Sequence, residues 1–134
     1  MHTTNAAQTV NRILDFFKAE EREQIRRQLS GTLCGVVCQR MVGTVDGKLT
    51  PALEILLNTP MVRKLIEENR LDKLPAAIET SLDDGMISFN QSLFNLVKLG
   101  RVTEKEALSK ATNPQALEMN FKGIFLDEGR RIIK

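Results

Sequence analysis

The chain has 134 residues, 42% hydrophobic and 27% charged, which fits one globular domain and excludes both a disordered tail and a pair of ordinary domains. Its 19 basic and 17 acidic residues leave a formal charge of +2, and it has six Phe but no Trp or Tyr, so neither charge nor stacking surface favours nucleic acid as a partner. No apolar run approaches the ~20 residues of a membrane span and no signal peptide opens the chain, so a soluble cytoplasmic protein without direct membrane insertion is expected.

In TNAAQTVNRILDFF, Val10, Ile13, Leu14 and Phe17 fall at i, i+3, i+4 and i+7, one stripe of a helix with Thr4 or Asn5 as its N-cap. A second helix follows through Ile25, Leu29 and Leu33, with Glu21, Arg22, Glu23, Arg26 and Arg27 on its polar face. Gly31 and Gly35 weaken its far end. The pattern then changes. Asp46-Gly47 is a hairpin turn signal between runs rich in Val, Leu and Ile, predicting antiparallel strands over about 36–44 and 48–57. Pro51 places part of the second strand at an edge or bulge, and a lone hairpin is marginal in water. The strands are therefore expected to belong to a larger sheet, and since no other convincing strand occurs in this chain, its remainder is expected from a missing portion.

From Asn58 onward the pattern is helical. Thr59-Pro60 pairs an N-cap with proline at the first helical position, opening MVRKLIEENR with Val62, Leu65 and Ile66 inward. A short helix from Pro75 carries Ile78 and Leu82 and stops at Gly85. Ser88 caps the next, with Phe89, Leu93, Leu96 and Val97 as its stripe and Gly100 at its end. Thr103 to Glu106 reads as a capping box, and Asn113-Pro114 repeats the cap-and-proline signal before Leu117. The fold class expected is mainly α with one β-hairpin.

Catalytic chemistry is sparse. No Gly-rich loop ends in Gly-Lys-Ser/Thr, so no phosphate cradle of the P-loop kind is encoded. The lone histidine, His2, is too near the terminus to anchor a catalytic triad, and Asp83-Asp84 are adjacent and diverge on a helix. Cys34 and Cys38 are the only cysteines; with one His they make no four-ligand zinc site without carboxylates, and they are expected as buried, reduced, structural thiols. The pair of helices in LFNLVKLGRVTEKEALSKA superficially suits a helix-turn-helix. Its second helix opens on Glu104 and Glu106, which repel phosphate.

In order, these segments resemble the C-terminal part of the type IV pilus retraction ATPases, the PilT/PilU group of the secretion ATPase superfamily. HTTNAAQTVNRILDFF is similar to the close of that family's His box and the helix after it. REQIRRQLSGTLCGVVCQRM resembles its next helix and strand, and LEILLNTPMVRKLIEENR its strand, Asn-Thr-Pro cap and AIRNLIRE retraction motif. DDGMISFNQSLFNLVKLGRVTEKEAL matches two closing helices, and the resemblance ends near residue 117.

The resemblance implies that His2 and Thr3 belong to a nucleotide-sensing segment. It also implies that Met61, Val62, Arg63, Lys64, Leu65, Ile66, Glu67 and Glu68 form the retraction-like motif, with Met, Val, Lys and Glu replacing four residues of the family pattern. By the same resemblance, residues 1–58 are the end of a RecA-like α/β ATPase core and residues 59–134 a helical appendage and tail. Walker A, the acidic boxes and the first box histidine are then expected upstream of residue 1, and Met1 need not be a natural start. ATP and magnesium belong to the longer parent rather than to this portion. The partners implied are further copies of the chain in a hexamer and pilus machinery at the inner membrane. The rival reading is a free-standing helical adaptor with no ATPase parent.

Overall fold

The computed structural model describes residues 5–125. Asn5 opens the first helix, α1 (Ala6–Asp15): its side chain accepts from the Gln8 amide, and Ala6, Val10 and Leu14 are buried along one stripe. The second, α2 (Arg22–Thr32), has no side-chain N-cap and buries little beyond Ser30; Ile25, Leu29 and Leu33 are half-buried. The chain then enters a two-stranded antiparallel sheet, β1 (Gly35–Gly43) and β2 (Leu49–Leu57), whose register pairs Gly35 with Leu57 and Gly43 with Leu49. Thr44 donates its amide to the Lys48 carbonyl at 2.9 Å to close the turn, and Gly47 takes the positive φ of 81° that a side chain resists.

As expected, the described residues hold only two strands, and other groups meet both edges of the hairpin. On the outer edge of β2, Ile55 and Ile87 exchange both backbone hydrogen bonds (2.8 and 3.2 Å), and the Leu53 amide donates to Ser92 Oγ at 3.0 Å. On the outer edge of β1, the Gly43 amide donates to Glu106 Oε2 at 2.7 Å.

Helix α3 (Pro60–Glu67) follows β2, then a 3₁₀ turn (Leu71–Lys73) leads into α4 (Leu74–Glu79). Leu82 stands in a separate 3₁₀ turn (Leu82–Asp84) and is exposed, because α4 ends at Glu79 and its stripe does not continue to Leu82. Three helices close the described chain: α5 (Phe89–Lys98), α6 (Glu104–Lys110) and α7 (Pro114–Phe121). Ser88 and Gln91 form a reciprocal capping box at α5, and Asn113 caps α7. At α6 the box is half made. Thr103 accepts from the Glu106 amide, but the Glu106 carboxylate turns away to β1.

Buried apolar residues form two clusters. The first gathers Ala6, Val10, Leu14, Leu56, Val62, Ile66, Leu74 and Ile78 from α1, β2, α3 and α4. The second gathers Val42, Ala52, Phe89, Leu93, Val102, Ala107 and Leu117 from the hairpin and α5 to α7. The inward residues of β2 thus serve different cores in turn: Ala52 the second, Leu56 the first, with buried Glu54 between them. Cys38, opposite Glu54 in the register, packs against both. Cys34 is exposed, contrary to the expected burial, because β1 begins at the rim of the sheet; both thiols are free.

Candidate functional site

Helix α3 carries the motif singled out by sequence. Thr59 has extended backbone and its hydroxyl accepts from the Val62 amide at 3.4 Å, while Pro60 occupies the first helical position, where no intrahelical donor is needed. Val62 and Ile66 are fully buried in the first cluster, and Leu65 is half-buried beside them. Met61, Arg63, Lys64, Glu67 and Glu68 are exposed. One stripe holds the helix down and leaves a mixed-charge face on solvent.

The helix is fixed from below by α2. Asn58 Nδ2 donates to the Ser30 and Leu33 carbonyls at 2.8 and 2.7 Å, and the Asn58 amide donates to the Cys34 carbonyl at 3.1 Å. Arg26 Nη2 reaches the Glu67 carbonyl at 3.4 Å, a cation at the end of α3 where carbonyls lack intrahelical partners. Arg63 and Lys64 have no side-chain hydrogen bond or ion pair among the described residues, and Glu68 pairs with Arg70 at 3.6 Å on the surface. Lys64 lies in the last turn, where a cation suits the helix dipole, whereas Glu67 and Glu68 at the same end oppose it, so the charge order of α3 is mixed.

One carboxylate that sequence reading passed over does structural work elsewhere. Glu54 is 7% exposed and receives the Ala6 amide on Oε1 at 2.8 Å and the Phe89 amide on Oε2 at 3.2 Å. These are the first residues of α1 and α5. Arg40 lies on the same face, its guanidinium 3.9 Å from the centre of the Phe89 ring and its Nη1 donating to the Lys110 carbonyl at 2.8 Å. Burial lowers the Arg40 pKa, and the charge of Glu54 opposes that. The signal for Glu54 was its place in the alternation of β2, between inward Ala52 and Leu56.

His2 and Thr3 lie outside the described residues. Among the described residues, no group of three or more His, Cys, Asp or Glu side chains could hold a metal ion. A cleft of 220 Å³ between the hairpin turn and the end of α5, lined by Thr44, Asp46, Lys48 and Arg101 among others, falls below the range of about 300–1,000 Å³ usual for small-molecule sites. No helix is long and apolar enough to cross a membrane among the described residues.

A twitching motility protein of Neisseria gonorrhoeae is 39% identical over 118 residues, covering 87% of this chain and 32% of that protein. The type IV pilus retraction ATPase PilT of Pseudomonas aeruginosa is 36% identical over 115 residues, covering 86% of the chain and 33% of its own length. The crystal structure of the pilus retraction motor PilT with bound ADP superposes with a TM-score of 0.76 at 34% identity over 88% of the chain. The chain is homologous to the C-terminal part of the PilT/PilU type IV pilus ATPases. It spans about a third of the length of these PilT/PilU relatives. PilU of Pseudomonas aeruginosa, 36% identical over 123 residues, matches it as well as PilT does. The Legionella pneumophila ATPase DotB, 20% identical with a TM-score of 0.65, shares the fold. No protein-family profile matches the chain.

Proposed function

We propose that this chain is the C-terminal portion of a hexameric, cytoplasmic type IV pilus retraction ATPase, in which it packs subunits and transmits motion while residues outside it bind ATP and magnesium. The observation that carries the reading is the PilT/PilU likeness in both sequence and fold, running through α3 with its exposed charged face. In this reading residues 1–58 end the ATPase core and residues 59–134 form the appendage. His2 and Thr3 belong to the nucleotide-sensing segment that runs into α1. Met61, Arg63, Lys64, Glu67 and Glu68 present the retraction-like surface to the pilus machinery, and Val62, Leu65 and Ile66 hold it in place. Exposed Arg63 and Lys64 support a docking role, since neither is engaged by another side chain among the described residues.

The test has two arms. Calorimetry with millimolar ATP and magnesium on the isolated chain should show no saturable heat, and a micromolar site would overturn the division of labour. In the longer ATPase that carries this sequence, Arg63→Ala should abolish twitching motility while folding and ATP turnover persist. Unchanged motility would remove α3 from the transmission path.

A further inference from the structure

We infer that Glu54 is a joint that couples the start of α1 to the start of α5, so that a displacement at one helix is felt at the other.

The seam between the two apolar clusters runs across the inward face of the hairpin, and Glu54 stands on it, between Ala52 of one cluster and Leu56 of the other. Its two oxygens are divided between the two sides. Oε1 takes the amide of Ala6, which belongs to the first cluster, and Oε2 takes the amide of Phe89, which belongs to the second. Both amides are first-turn donors that no intrahelical carbonyl can satisfy, and both lie at the positive end of a helix dipole. An ionised carboxylate is acceptor-only, so it serves both at once without conflict. In an interior of low dielectric, loss of one bond leaves a buried charge short of a donor and strengthens its demand on the other. The two helix starts therefore share one acceptor. Should α1 shift, the carboxylate must follow it or release it, and Phe89 registers either event.

Other contacts cross the same seam: Gln91 Nε2 donates to the Glu79 carbonyl at 3.1 Å, Ile55 pairs with Ile87, and Cys38 packs against both clusters. They are the competing routes. This inference concerns the joint alone and does not require the ATPase reading; under that reading, it is the path by which the segment before α1 reaches the appendage.

Amide hydrogen exchange on the whole chain tests it. Ser88→Ala removes the hydroxyl that caps α5 and loosens the helix start around Phe89 and Gln91 without touching α1. Exchange at Ala6 should then rise on the order of threefold or more, as expected for members of one hydrogen-bonded network. In the Glu54→Gln background the same capping change should leave Ala6 unmoved, since a carboxamide offers only one acceptor oxygen. Where Glu54→Gln does not fold, Glu54→Asp keeps the charge on an arm too short for both amides and should break the response equally. An Ala6 amide indifferent to Ser88→Ala would show no coupling, and one responding by the same factor with Glu54 replaced would assign it to Gln91, Ile87 or Cys38; either result overturns the inference.

Discussion

Glu106 shows how one side chain can leave a local motif for a tertiary task. From sequence it completes a capping box with Thr103; in the fold it spends its carboxylate on the Gly43 amide at 2.7 Å, closing part of the exposed edge of β1. That hydrogen bond is the main reason its pKa falls below the ordinary glutamate value of 4.5, helped by Ser109 and Lys110. A carboxyl group whose pKa is depressed by folding stabilises the native state above its unfolded value, and the contribution disappears as pH drops through the lower native value. The stability of the chain should therefore decline on acidification below 4.5 in part through Glu106. Urea midpoints measured from about pH 7 down to about pH 3 should show a shallower acid-side decline in Glu106→Gln than in the native chain. Parallel profiles would mean that the carboxylate does not hold β1 in solution. No such reading was open at the level of sequence, because Gly43 and Glu106 are 63 positions apart.

At the scale of elements, α3 makes the sharpest statement about packing. Ile66 is fully buried among α1, β2 and α4, whereas Leu65 is only half-buried at the border with α2. Truncating Ile66 to Ala should cost about 2–5 kcal/mol, the range for deleting a buried aliphatic side chain, and Leu65→Ala measurably less. Chemical denaturation of the two variants decides it; equal losses would mean that α3 sits deeper than the fold shows. The elements themselves were legible to a high degree. Strands expected over about 36–44 and 48–57 run from Gly35 to Gly43 and Leu49 to Leu57. Asn5, Thr59, Ser88 and Asn113 cap the helices assigned to them, because side-chain capping is decided within four residues of chain. What escaped was set by longer reach. Leu82 looked inward by helical spacing, yet the 3₁₀ turn before Gly85 leaves it outside. The role of Glu54 needed α1 and α5 to arrive from 48 residues before and 35 residues after it. The charged face of α3 was readable residue by residue, whereas its anchoring through Asn58 and Arg26 to α2 depends on contacts no spacing rule encodes.

For the whole molecule, the unusual feature is the outward face of the hairpin. Alternation along the register sends Val37, Met41 and Leu49 to solvent, with Val37 and Leu49 each 67% exposed. Beside them runs the outer edge of β1, of which Gly43 is held by Glu106, while the Val37 and Met41 amides have no partner among the described residues. An apolar face next to an open strand edge is the combination that recruits other chains, since pairing satisfies the backbone groups and covers the side chains in one step. Ile55 on the same face is half-buried and bridged to Ile87, so a charge there would disturb the fold itself. Val37 is the better position, being exposed and on the open strand. The isolated chain should self-associate with rising concentration, and Val37→Lys should shift it towards monomer without altering its thermal unfolding. Light scattering across a concentration series reads both. A native chain that stays monomeric throughout would show that this face and its open edge recruit no second copy.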